Sequence, residues 1–100
     1  MIITTTPTIE GKPIKEYKGI VLGDTIMKVE LRDGYRFSED ERVLYSNNLR
    51  EAQQWAINAM TEQAKALDAN AIVGVDVDYT KLNSGSGVLM VNANGTAVVI

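Results

Sequence analysis

Asp76-Val77-Asp78 is the pair of carboxylates in this chain whose spacing gives them a common direction. On an extended strand, alternate residues share a face and stand about 6.6 to 6.8 Å apart, too far for one proton to be held tightly between them. That separation suits a hard cation whose shell water completes. Tyr79, next in the chain, completes a candidate ligand-binding set of Asp76, Asp78 and Tyr79. Two acids make a thin site, and the same residues also read as a solvated strand face. The chain contains no histidine and no cysteine. The usual base near neutral pH, the commonest transition-metal ligand, disulfides and thiolate zinc sites are therefore closed to it, as are Cys nucleophiles and Ser-His-Asp triads. No catalytic residue, cofactor or metal-ligand set is assigned.

Other stretches with a chemical look have plainer readings. Glu39-Asp40-Glu41 follows Ser38 in capping-box form and suits the positive end of a helix dipole. Gly85-Ser86-Gly87 lacks the spacing of phosphate loops and precedes a strand rather than a helix, so it reads as a flexible loop. Asn94-Gly95-Thr96 matches a glycosylation sequon that means nothing without secretion. Trp55 with Tyr45 could offer a stacking surface, although aromatic side chains beside a helix stripe more often serve a core or an interface.

These residues must be positioned by a small set of elements. Ile2 to Thr5 is β-prone and halted by Pro7; Glu10 to Pro13 is a turn; Ile14 to Gly23 is a strand buried on much of both faces, within a stretch extended to Ile26. Gly19 and Gly23 mark a bulge or a close backbone approach. Arg32 to Tyr35 is a turn signal in an otherwise ambiguous segment. Helical periodicity runs from Ser38 to Leu67, with Tyr45, Leu49, Ala52, Ala56, Ala59, Met60, Gln63 and Leu67 on one stripe. The alanines at its centre imply a helix lying close to what it covers. Trp55 and Ile57 fall off the stripe on opposite flanks: either the core wraps wide, or one flank meets a partner chain.

The helix should end at Asp68-Ala69-Asn70, where Asp or Asn can take the left-handed cap conformation. Ala71 to Tyr79 then alternates, with Ala71, Val73, Val75, Val77 and Tyr79 on one face and Ile72, Gly74, Asp76 and Asp78 on the other. Val88 to Ile100 is either one long strand, with Asn92, Asn94 and Thr96 sharing a face, or a hairpin turning at Asn94-Gly95; the unbroken phase favours one strand. The expected architecture is α+β: two layers, an antiparallel sheet packed on one long helix, in a single domain over residues 1–100.

The balance of 10 basic and 13 acidic residues gives a net charge of -3, with the basic residues scattered, which argues against a nucleic-acid partner. The apolar stretches fall far short of the roughly 20 residues that span a membrane, and the first residues have no signal-peptide character, so a cytoplasmic protein is expected.

Several segments resemble one family. Thr5 to Gly11, Glu16-Tyr17-Lys18-Gly19-Ile20-Val21 with Gly23, Ala64 to Leu67, Asn70 to Tyr79, and Leu89-Met90-Val91 with Gly95 to Val98 occur in order over most of the chain. They are similar to the YbjQ-like family of small prokaryotic proteins, labelled as heavy-metal-binding and of unestablished function. The resemblance implies a dodecin-like or YbjQ-like α+β subunit in a ring oligomer, a pentamer in members of known structure. It supplies no reaction. Lys18 stands where some members carry Cys, and Asp68 where the family has Gly; the segment from Met27 to Leu44 diverges.

The function expected is that of a homo-oligomeric binding or assembly protein without catalysis, with Trp55 and Ile57 at the oligomer interface and its own copies as partners. The alternatives are a ring that binds a divalent cation or small ligand through Asp76 and Asp78, and an enzyme whose active site lies at a subunit interface.

Overall fold

The stretch with the clearest helical period forms a helix of 28 residues, α1, Glu39–Ala66. The structure is a computed structural model and describes residues 1–28, 39–81 and 88–100. Ser38, the Arg32 to Tyr35 turn and the Gly85-Ser86-Gly87 loop lie outside the described residues, as does the side chain of Tyr45. The strands are β1 Ile2–Ile3, β2 Glu16–Lys28, β3 Ala71–Lys81 and β4 Val88–Val99. They form one sheet in the order β1-β3-β4-β2. β2 and β3 both run antiparallel to β4, whereas the short β1 runs parallel to β3, so the sheet is mixed rather than wholly antiparallel.

β4 is a single strand paired along its whole length with β2, and Asn94-Gly95 does not turn. Val91, Ala93 and Ala97 are buried on one of its faces, where they meet α1. A hairpin would have mixed these faces, so burial of the odd positions decides for the straight strand.

α1 lies over β2 and β4. Its buried line is Ala52, Ala56, Met60 and Ala64, with Leu49 and Ile57 half-buried beside it. Ala59, Gln63 and Leu67, expected on the stripe, are exposed. The reason is that β2 is the sheet's edge, and this side of α1 overhangs it. Gln63 reaches across that edge, and its Oε1 accepts the Leu22 N–H at 2.9 Å. The helix closes as expected at Asp68, which has φ 62°. Ala69 N–H donates to Ala64 C=O at 3.1 Å and Asp68 N–H to Lys65 C=O at 3.0 Å, the paired bonds of a Schellman cap.

The alternation expected along β3 breaks at Gly74. Val73 pairs with Thr96, but Asp76 pairs with Asn94, so β3 spends one residue more than β4 over this interval. Gly74 has φ 62°, a left-handed conformation that makes room for the extra residue. The bulge is held from outside: Thr6 C=O accepts Gly74 N–H at 2.9 Å, and Thr4 C=O accepts Val75 N–H at 3.0 Å. A one-residue insertion reverses the faces. Ile72 and Val75 therefore both join the core under α1, while Ala71 and Val73 face the other way, with Val98, in a small cluster covered by Ile9, Ile14 and Ile100.

Candidate functional site

The N-terminal excursion covers only one end of the sheet face that α1 leaves bare. Beyond it, Asp76 and Asp78 stand on that face, placed there by the bulge. Asp76 is directly opposite Asn94, and Asp78 is opposite Asn92. On its other side Asn92 faces Asp24 of β2, and Asn94 faces Leu22. Directly opposed residues share a face, so Asp24, Asn92 and Asp78 form one row across three strands, with Asn94 and Asp76 in the next. Asn94 Nδ2 donates to Asn92 Oδ1 at 3.4 Å, linking the rows.

The Asp78 carboxyl is held above its ordinary value of 3.8, first by a hydrogen bond with Asp76, then by the like charge of Asp76, and least by desolvation. Both residues are exposed, so the pair can exchange protons and ions with water freely. A cation or hydrogen-bond donor placed there would offset the like charge of the two acids.

Tyr79 does not belong to this group. It pairs with Val91, a residue buried under α1, and its hydroxyl accepts a hydrogen bond from the Gln53 amide. Strand alternation separates the three expected ligand-binding residues, and the bulge decides which face each takes: the acids on the bare face, the phenol on the helix side. Trp55 and Ile57 also part company. Ile57 packs on the core cluster, whereas Trp55 is 64% exposed beside β2. Sequence reasoning missed Asp24. It had grouped Asn92 and Asn94 on a face, but their adjacency to Asp76 and Asp78 depends on strand order and register.

A soft metal finds little here. Among the described residues no group of three or more His, Cys, Asp or Glu is placed to hold a metal ion. The thioethers of Met27 and Met60 are buried in the core, Met1 is exposed at the N-terminus, and Met90 is half-buried opposite Thr80. Lys18 forms a surface ion pair with Glu16 at 3.1 Å. Exposed oxygen donors without an imidazole or a thiolate do not match heavy-metal preferences. Among the described residues, no helix is long and apolar enough to cross a membrane.

Comparison with known proteins agrees with this architecture. A family profile described as "Putative heavy-metal-binding" matches residues 1–100. A UPF0145 protein of Acetivibrio thermocellus is 48% identical over 105 residues, covering 100% of this chain and 99% of the relative. One from Listeria monocytogenes is 47% identical, covering 100% and 96%. A crystal structure of a protein of unknown function from Pediococcus pentosaceus, assigned to the DUF74 family, superposes with a TM-score of 0.64 at 22% identity, covering 100% of this chain and 97% of that one. The chain belongs to the YbjQ family, a group of unknown function whose label, heavy-metal binding, its own donor set does not match.

Proposed function

We propose that this chain is a single-domain subunit of a cytosolic homo-oligomer, a pentameric ring, acting as a binding or assembly protein with no catalytic step of its own. The observation that carries the reading is the exposure of large apolar side chains around β2: Ile20 at 78%, Ile26 at 65%, Leu22 at 49% and Trp55 at 64%. A small soluble subunit scatters such residues singly; several gathered along one edge strand and the helix beside it mark surface that another chain covers. Native mass spectrometry tests it. The expected assembly weighs about 55 kDa, five chains of 10.9 kDa each, and Trp55→Glu should shift the distribution toward single chains. A wild-type spectrum containing only the 10.9 kDa chain at micromolar concentration would end the proposal.

A second reading, binding of a hard divalent cation at Asp76 and Asp78, draws support from the placing of both exposed acids on one sheet face beside Asn92 and Asn94, where a cation would offset their like charge. Titration with calcium, magnesium and manganese should raise the melting temperature of the wild type and leave Asp76→Asn/Asp78→Asn unmoved. Equal responses from both proteins would count against it.

A further inference from the structure

The exposed apolar group lies on both sides of one strand. Ile20, Leu22 and Ile26 project on the bare face of β2, while Trp55 stands on the helix side, where it borders an open cleft of about 440 Å³ with Ala52, Met27 and Ile26. A layer stacked on one face would cover only half of this surface. A chain docking edge-on would cover both halves at once.

The backbone has the same requirement. In an antiparallel ladder, residues that do not exchange hydrogen bonds with their opposite direct N–H and C=O outward. The Leu22 N–H, bound by Gln63, marks that phase on β2, so Asp24 and Ile26 also direct their backbone groups outward, and among the described residues no strand meets them. Gln63 blocks the edge at Leu22, leaving the half beside the Trp55 cleft. At the opposite side of the sheet, β1 covers β3 only at Ala71 and Ile72, and Thr4 and Thr6 extend that cover to Val75. Val77 and Tyr79 continue the outward phase without a strand partner among the described residues, and Tyr79 is 42% exposed on the helix side.

The two open half-edges lie at the same level. Tyr79, Val91 and Thr25 form one row across the sheet, and Thr80, Met90 and Ile26 the next. We infer that the outer edge of β3 in one copy docks on the β2 edge at Asp24 to Ile26 in a second copy, bringing the first copy's Tyr79 to the cleft beside the second copy's Trp55. This rests on the assembly reading above and gives it a direction. Two different edges of one chain joined head to tail make a heterologous contact, which repeats around a ring; a β2-to-β2 contact would stop at two chains and leave the β3 edge open. β2 and β3 run the same way, both being antiparallel to β4, so the new ladder is parallel. Exact alignment of the rows would set Asp24 beside Asp78, and a slip of two residues, about 7 Å, avoids opposing like charges.

The absence of cysteine makes the contact testable, since introduced thiols react alone. Ile26→Cys and Thr80→Cys, each at an exposed position and differently tagged, are coexpressed and treated with a bismaleimide long enough to span that slip. Mass spectrometry should find cross-links that join an Ile26→Cys chain to a Thr80→Cys chain, with few between like chains. Native mass spectra of each variant keep two failures apart. An intact oligomer with cross-links only between Ile26→Cys chains, or with none, overturns the head-to-tail contact and leaves the assembly reading standing. Variants and wild type that are all single chains overturn both.

Discussion

Gly23 of β2 lies directly beneath the backbone of Ala56 in α1: a Cβ at Gly23 would stand 2.0 Å from the Ala56 carbonyl oxygen and 2.5 Å from the Met60 nitrogen. Backbone meets backbone here, so no side-chain rotation relieves the overlap. Alanines at 52, 56 and 64 on the helix and a glycine on the strand bring the two layers together, and that contact seats α1 over the sheet edge. Gly23→Ala should cost about 3 kcal/mol or more, at the upper end for an overpacked core, because helix and strand must separate. Urea unfolding checks this; a loss below about 0.5 kcal/mol, the range of ordinary surface changes, would mean that the helix is seated otherwise.

Gly74→Ala offers a contrast from the same residue type. No atom outside its own chain neighbours lies within 4 Å of its Cβ position, so the cost is conformational only, φ being +62°. About 1 to 2 kcal/mol is expected from placing an L side chain in that region. Gly74→Asn should recover part of the loss, since Asn tolerates the left-handed conformation better than Ala. Equal unfolding free energies for the Ala and Asn variants would argue that the bulge is absent.

Asn70 ties the chain end to the helix exit. Its Oδ1 accepts the Ile100 N–H at 2.8 Å, and its Nδ2 donates to the Ile100 C=O at 3.1 Å. Asn70→Ala should lower stability by about 1 to 2 kcal/mol and speed amide hydrogen exchange at Ile100, because two hydrogen bonds are lost at an exposed site. Unchanged exchange at Ile100 would contradict the clamp.

The influence of Asp76 on the Asp78 carboxyl predicts a sign for pH dependence. With its folded-state value above 3.8, Asp78 binds more protons when folded than unfolded at pH values just above 3.8. Stability therefore falls as pH rises through that window and is regained on acidification. Asp76→Ala removes both the hydrogen bond and the repulsion. The Asp78 carboxyl, followed by carbon NMR, should then titrate lower, toward 3.8, and this part of the pH slope should flatten. A midpoint that does not move would show that Asp76 is not the cause.

Some of this protein was legible from its residues alone, and the legible parts share a property. The helix, its left-handed exit at Asp68, the single long β4 and the special role of Gly23 are each signalled by periodicity or by a residue type near the feature itself. The near-absence of soft-metal chemistry also follows from counting, since no fold can supply His or Cys that the chain lacks. Tertiary structure alone decided what depends on distant partners. Strict alternation put Val75 beside Val73, but the bulge at Gly74 is held by Thr4 and Thr6, some seventy residues earlier in the chain, and it reverses the faces beyond it. Asp24, Asn92 and Asn94 joined the acids only because β4 lies between β2 and β3 in one particular register. Trp55 and Ile57 looked equivalent on a helical wheel, and only the placement of α1 over the β2 edge left one outside and packed the other inward. Local conformational preference is written in neighbouring residues, whereas register and layer offset are set by the best joint burial of many.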